Sequence, residues 1–364
     1  MSNQENGNWP EFILPDSLYT ETIREVHLSV EQDWDSLRQS ACQTAAGRAL
    51  WKHVIHDPLA ELLAGETYLK KLYEKIKKDI LNNAREVSGV IIAVRTLWFD
   101  KRIEAALTSF DGGGAQVVIL GAAEGLPETT SLPKVEVRSA YTLSSPDPTL
   151  WDSLGMDTRA YRLSCLKDSN IFEVDFPEVL RMKTTILEAA TETTDERKHQ
   201  IMMAKSLNRV AADLREKDWL EKLQESGLKL NKKTVWVLEG ILYYLSHSNA
   251  MEVLKIIANN CTSVHTVLLA DFMNKQSTTM SSSNFHFYSD YPDQLLPSLG
   301  FSDVRLSQIG DPDAHFGLLH DPLNLFNKLR NLPRSLQTHP DDGTPCCRLY
   351  LLQASGEPPK QTIL

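Results

Sequence analysis

The sequence predicts an α/β protein, with a wound, mostly parallel sheet lying behind a helical N-terminal cap. Residues 115–122 (AQVVILGA), 170–175 (NIFEVD), 234–240 (TVWVLEG) and 265–272 (HTVLLADF) are short apolar runs rich in Val, Ile and Leu. Such runs mark strands buried on both faces of a parallel sheet. Each run closes on a glycine or an acid, and from the second onward helix-forming stretches alternate with strands, as in a parallel sheet covered by helices. Ahead of the first strand, residues 40–110 carry helical patterns only.

The chain has 364 residues, 42% hydrophobic and 24% charged, ordinary values for a globular protein with one large core or two modest ones. A net charge of -10 excludes a surface built to neutralise a phosphate backbone, so no nucleic-acid partner is expected. Five scattered cysteines without C-x-x-C spacing give neither a disulfide framework nor a zinc knuckle. No stretch approaches the ~20 apolar residues that span a bilayer, and the first residues lack the basic start and apolar core of a secretory signal. The expectation is a cytoplasmic protein without a membrane partner. Oligomeric state is not legible.

In chain order, residues 1–39 read as a lead-in and 40–110 as the helical cap. The segment SACQTAAGRALWKHVIHDPLAELLAG (40–65) is alanine-rich and helix-forming, with a break at Asp57-Pro58. His53 and His56 stand a turn apart but lack further ligands at metal-site spacing, so no metal is expected. Residues 66–82 put Leu69, Leu72, Tyr73, Ile76 and Ile80 on one face of an amphipathic helix, and 89–108 form another helix. DGGG (111–114) precedes the first strand rather than following it, so it is a linker turn and not a phosphate loop.

Residues 111–356 read as the core and 357–364 as a tail. The first strand ends at Gly121-Ala122, yet the polar turn expected to follow comes only at 155–163 (GMDTRAYRL). The intervening 123–154 is rich in Pro, Ser and Thr and holds no sustained period, which is unusual for so long a loop inside a compact domain. It is a surface excursion, a regulatory insert, or intervening sequence retained in the transcript or gene model. The last is favoured because the flanks rejoin without remainder. Two late strand-like runs, FSDVRLSQIG (301–310) and CCRLYLLQAS (346–355), close the core.

Joined directly, the pieces read VVILGA-GMDTRAYRL, which resembles the nucleotide-binding turn of the leucine carboxyl methyltransferase family of S-adenosyl-L-methionine-dependent enzymes. The resemblance runs from about Thr44 to Asp271. Thr44, Ala45, Arg48 and Ala49, then Asp57, Pro58 and Ala60, match T-A-x-x-R-A and D-P-x-A; Arg48 is either functional or on a solvated helix face. VRTLWFD resembles the segment whose arginine meets the donor's carboxylate, and Arg95 is the matching residue, with Asp100 orienting it or fixing its helix. The fold implied is class I methyltransferase-like (Rossmann-like): a seven-stranded, mostly parallel sheet with an antiparallel C-terminal strand and the helical cap.

The same resemblance assigns the cofactor, S-adenosyl-L-methionine, to Arg95, Gly121, Gly155, Asp175, Asp213, Leu214 and Glu239. A carboxylate at Asp175 suits two ribose hydroxyls. Asp213 offers an acceptor for an adenine amino group and Leu214 an apolar wall. Glu239, in E-G-x-x-x-Y-L, lies near the methionine portion or the reacting sulfonium. Tyr244 lines a substrate pocket or packs in the core with Tyr243. Asp157, Thr158 and Arg159 shape the turn, with Arg162 salt-bridged behind it. The implied reaction is O-methylation of a carboxylate or other small oxygen acceptor, on a small molecule or a protein, and it demands no catalytic base. The alternative is a non-catalytic relative whose split donor loop leaves a binding module. The missing G-x-G-x-x-G counts against a nicotinamide-dependent dehydrogenase.

Overall fold

The computed structural model describes residues 12–110, 114–121, 156–192 and 202–358. Gly155 and the whole of 123–154 lie outside the described residues.

Among the described residues seven strands form one sheet: β1 (Gln116–Leu120), β2 (Asn170–Asp175), β3 (Ser206–Ala211), β4 (Thr234–Leu238), β5 (Thr266–Met273), β6 (Asp303–Gln308) and β7 (Leu349–Gly356). Their order is β3-β2-β1-β4-β5-β7-β6. The first five pair in parallel, and β7 runs antiparallel between β5 and β6. Every residue of β1, β4 and β5 is buried, which is why these runs read as continuous apolar sequence rather than alternating.

Among the described residues four α-helices precede the sheet: α1 (Glu21–Asp33), α2 (Ser36–Leu50), α3 (Ala60–Leu81) and α4 (Val90–Ser109). The helix α1 sits inside the stretch read from sequence as lead-in. Its apolar side is short, with Ile23, His27 and Val30 buried among charged neighbours, so its local pattern is faint. At Gly65 α3 kinks, with φ of 76°, and a Cβ there would lie 2.6 Å from the His27 ring, so the kink and the seat of α1 need glycine together. In the core follow α5 (Arg159–Arg162), α6 (Pro177–Glu192), α7 (Trp219–Glu225), α8 (His247–Asn260), α9 (Pro292–Leu299) and α10 (Leu325–Arg330).

Among the described residues two apolar clusters result. The larger fills both faces of the sheet and includes most of α4 and α8. The smaller joins α1, α2 and α3 to Met156 and to Phe176, Val179, Met182 and Ile186 of the segment after β2. The cap therefore packs on the β2 end of the sheet, close to where the polar turn 156–158 resumes the chain.

Candidate functional site

The strand order reverses between β1 and β4, and the crevice at such a reversal is where open α/β sheets bind ligands. Pairing register sets the rim. Asp175 ends β2, the Gly121 amide donates to the Val174 carbonyl at 2.8 Å, and Leu238 pairs with Ala270, so Glu239 and Asp271 follow side by side. A Cβ on Gly121 would lie 2.7 Å from Asp175 Oδ2 and 3.3 Å from the Val174 carbonyl, so only glycine leaves that carboxylate in place.

Asp175 is buried. Its Oδ1 accepts the Phe176 amide at 2.8 Å, whereas Oδ2 has no hydrogen-bond partner among the described residues. Burial pushes its carboxyl up to about 7, a rise the Phe176 amide only partly offsets.

On the other side of Gly121 the rim is tightly paired. Glu239 Oε1 accepts Arg95 Nε at 3.0 Å and Oε2 accepts Arg159 Nη2 at 2.6 Å. Arg95 Nη1 also lies 3.3 Å from the Tyr243 hydroxyl and 3.4 Å from Asp271 Oδ2. Asp271 Oδ1 accepts the Gly240 amide at 2.7 Å, and burial raises its carboxyl to about 6 against the pull of Arg95. Arg159 donates to Asp157 Oδ2 at 2.5 Å and to Asp100 Oδ1 at 2.7 Å. Burial raises the Asp157 carboxyl, but Arg159 and Lys183 outweigh it and hold the group below the usual carboxylate range. Arg162 forks onto Asp100 at 2.6 and 2.9 Å.

The network continues into the cap. Asp57 Oδ2 accepts Arg48 Nε at 2.8 Å and the Thr158 hydroxyl at 2.6 Å, with Arg162 Nε at 3.8 Å. Arg48 Nη2 donates to the Met156 carbonyl at 2.5 Å, and Lys183 donates to the Asp157 carbonyl and to Glu173. Although burial disfavours its charge, Arg48 and Arg162 hold the Asp57 carboxyl below its ordinary value.

The structure thus brings Gly121, Asp175, Glu239 and Arg95 to one rim. Of two pairs of readings that the sequence left open, one side of each is excluded. Arg48 is not on a solvated face: it is 4% exposed, because the chain turns back after α2 and delivers Asp57 to it. Asp100 does not orient Arg95: its oxygens go to Arg159 and Arg162, since the turn after β1 stacks those arginines against α4. Asp213 stands half-buried with its carboxylate forked by Arg215, at 2.6 Å to Nη2, while Leu214 beside it is buried. Tyr244 is 2% exposed and packs against Tyr243 and Phe285. Sequence reading missed Asp271 and Lys183 as members of the network; the strand-end acid in VLLAD was a signal for the first, whereas a lysine within a helical run gives none for the second.

The sheet order and the acid-lined rim at its reversal define a class I methyltransferase-like α/β fold. The chain belongs to the leucine carboxyl methyltransferase family, whose model matches residues 41–125 and 154–258. A Mycobacterium tuberculosis protein described as a candidate S-adenosyl-L-methionine-dependent methyltransferase is 32% identical over 233 residues, covering 59% of this chain and 62% of that protein. A Mycobacteroides abscessus protein of the same description is 32% identical over 234 residues, covering 59% and 61%. The chain thus spans about three fifths of the length of these curated relatives. A solved structure of a candidate methyltransferase from Thermobifida fusca superposes with a TM-score of 0.43 at 11% identity, covering 87% of this chain and 94% of that one. Among the described residues no helix is long and apolar enough to cross a membrane.

Proposed function

We propose that the chain binds S-adenosyl-L-methionine at the rim between β2 and β4 and transfers its methyl group to a carboxylate or other small oxygen acceptor, on a small molecule or a protein. The observation that carries this reading is Asp175: a buried carboxylate with one oxygen unpartnered among the described residues, beside a glycine whose missing Cβ leaves it in place. Two adjacent hydroxyls, as on a ribose, satisfy such a group. Asp213 and Leu214 lie at the end of the neighbouring strand, where an adenine would sit once Arg215 yields the carboxylate. Glu239 holds Arg95 and Arg159 in fixed orientation, so its role is to aim arginines rather than to touch the ligand. For Arg95 to meet a ligand carboxylate, the partner that gives way is Asp271, whose 3.4 Å contact is longer than those to Glu239 and Tyr243.

The bound donor supplies a methyl carbon already activated by a positively charged sulfur. The residues around it need only align an acceptor oxygen and keep water out. A carboxylate acceptor attacks without losing a proton, so the reaction needs no general base.

Calorimetric titration with S-adenosyl-L-methionine tests the donor site: wild-type protein should bind and Asp175→Ala should not, whereas equal affinity would overturn the assignment. Mass spectrometry of a cell extract treated with the protein and methyl-labelled donor then identifies the acceptor. A second reading, a relative with an impaired site, draws on the break in the family match between residues 125 and 154, directly after the Gly121 end of β1. It is the better reading if deleting 123–154 creates donor binding that the intact chain lacks.

A further inference from the structure

The turn that resumes the chain after β1 has no ladder to lie on: residues 156–158 precede the short helix α5 and belong to no strand. Three successive residues are instead held one by one from other elements. The Met156 carbonyl is held by Arg48, the Asp157 carbonyl by Lys183 of α6, and the Thr158 hydroxyl by Asp57. Two of the three anchors come from the cap, and Arg48 and Asp57 are themselves joined at 2.8 Å, both almost wholly buried. Asp57 also accepts the Leu59 amide at 3.2 Å, which ties the pair to the start of α3. From Thr158 the chain of pairs runs through Arg162, Asp100 and Arg159 to Glu239 at the rim.

We propose that Arg48 and Asp57 of the cap are positioning residues that set the turn 156–159 against the sheet and, through Arg159, fix Glu239 and Arg95 at the donor site. The donor half of this statement rests on the function proposed above; the turn-holding half does not. The pair acts through the turn and touches no reacting atom. A buried ion pair suits this role because its two ends cannot separate without leaving an unpaired charge in the interior, so the turn has one allowed seat.

The variant Asp57→Asn keeps the shape and removes the charge. With the full chain, it should raise the KM and Kd for S-adenosyl-L-methionine by about ten- to hundredfold, the scale on which a displacement of about 1 Å acts. At saturating donor, kcat should stay within about threefold of wild type, since the reacting groups are untouched. Amide exchange read by mass spectrometry, without donor, should rise by about tenfold or more across 156–163 while β5 and β7 keep wild-type protection. Thr158→Val, which removes only the hydroxyl, should move the same amides in the same direction by a smaller factor, and guards against a Asp57→Asn chain that does not fold. Unchanged exchange at 156–163 in both variants, or equal loss of protection everywhere, overturns the proposal. If wild-type protein binds no donor while the turn still loosens in the variants, the donor reading falls and the turn-holding stands.

Discussion

The pH dependence of donor binding follows from Asp175. A carboxyl moved from an ordinary 3.8 to about 7 by burial has its ionised form disfavoured by about 4 kcal/mol in the ligand-free protein. Two ribose hydroxyls donate best to the ionised form, so donor binding should be linked to loss of that proton. With a midpoint near 7, affinity should fall about tenfold between pH 8 and pH 6 and level off above pH 8. The assay is calorimetry across that range in buffers of differing ionisation heat, which at pH 6 should show close to one proton released per donor bound beyond that seen with Asp175→Asn. Stability carries the opposite sign. Because the folded-state value lies above the unfolded one, the group favours folding below about pH 4 relative to its effect above pH 7, and the penalty appears as pH rises between them. Asp175→Asn should therefore melt a few degrees higher than wild type at pH 8 and close to it at pH 4. A pH-independent affinity, or the same slope in the variant, would refute the linkage.

Two further outcomes follow. If Asp213 serves an adenine, Arg215→Ala should strengthen donor binding severalfold by freeing the carboxylate, and Asp213→Ala should weaken it about tenfold, worth about 1.4 kcal/mol; the reverse order in calorimetry would show that the Arg215 fork is structural. Glu239→Ala leaves Arg95 and Arg159 without the carboxylate they share and should cost about 3–5 kcal/mol in urea unfolding, the scale for breaking a buried pair; an unchanged midpoint would mean the network is indifferent to it.

The strand ends were legible because everything needed lies within a few consecutive residues. An apolar run that stops on Asp175 or Glu239 states both the strand and where its acid will stand. The runs of β6 and β7 were legible for the same reason, whereas their antiparallel pairing was expected only from the family resemblance. The helix α8 was expected only from the alternation of strands and helices and its bounds were not read, although Ser246 accepts the Asn249 amide at 3.2 Å as an N-cap would. The site's wiring was not legible, since which charge meets which is decided by chain return and not by local pattern. An arginine in an alanine-rich helix reads the same whether solvated or buried, and Arg48 is decided only by Asp57 coming back to it and by Met156, 108 positions away. Asp100 reads as Arg95's neighbour on α4, yet its partners arrive from α5. Glu239 reads as a ligand-facing acid, yet Arg95 and Arg159 take both its oxygens.

A crystal structure with S-adenosylhomocysteine, the demethylated donor, tests the central claim most directly. The nucleoside should lie over Gly121 with its two ribose hydroxyls on the open oxygen side of Asp175 and its carboxylate toward Arg95. Density for the nucleoside anywhere else, or Asp175 still without a ligand partner in crystals saturated with the compound, would contradict it.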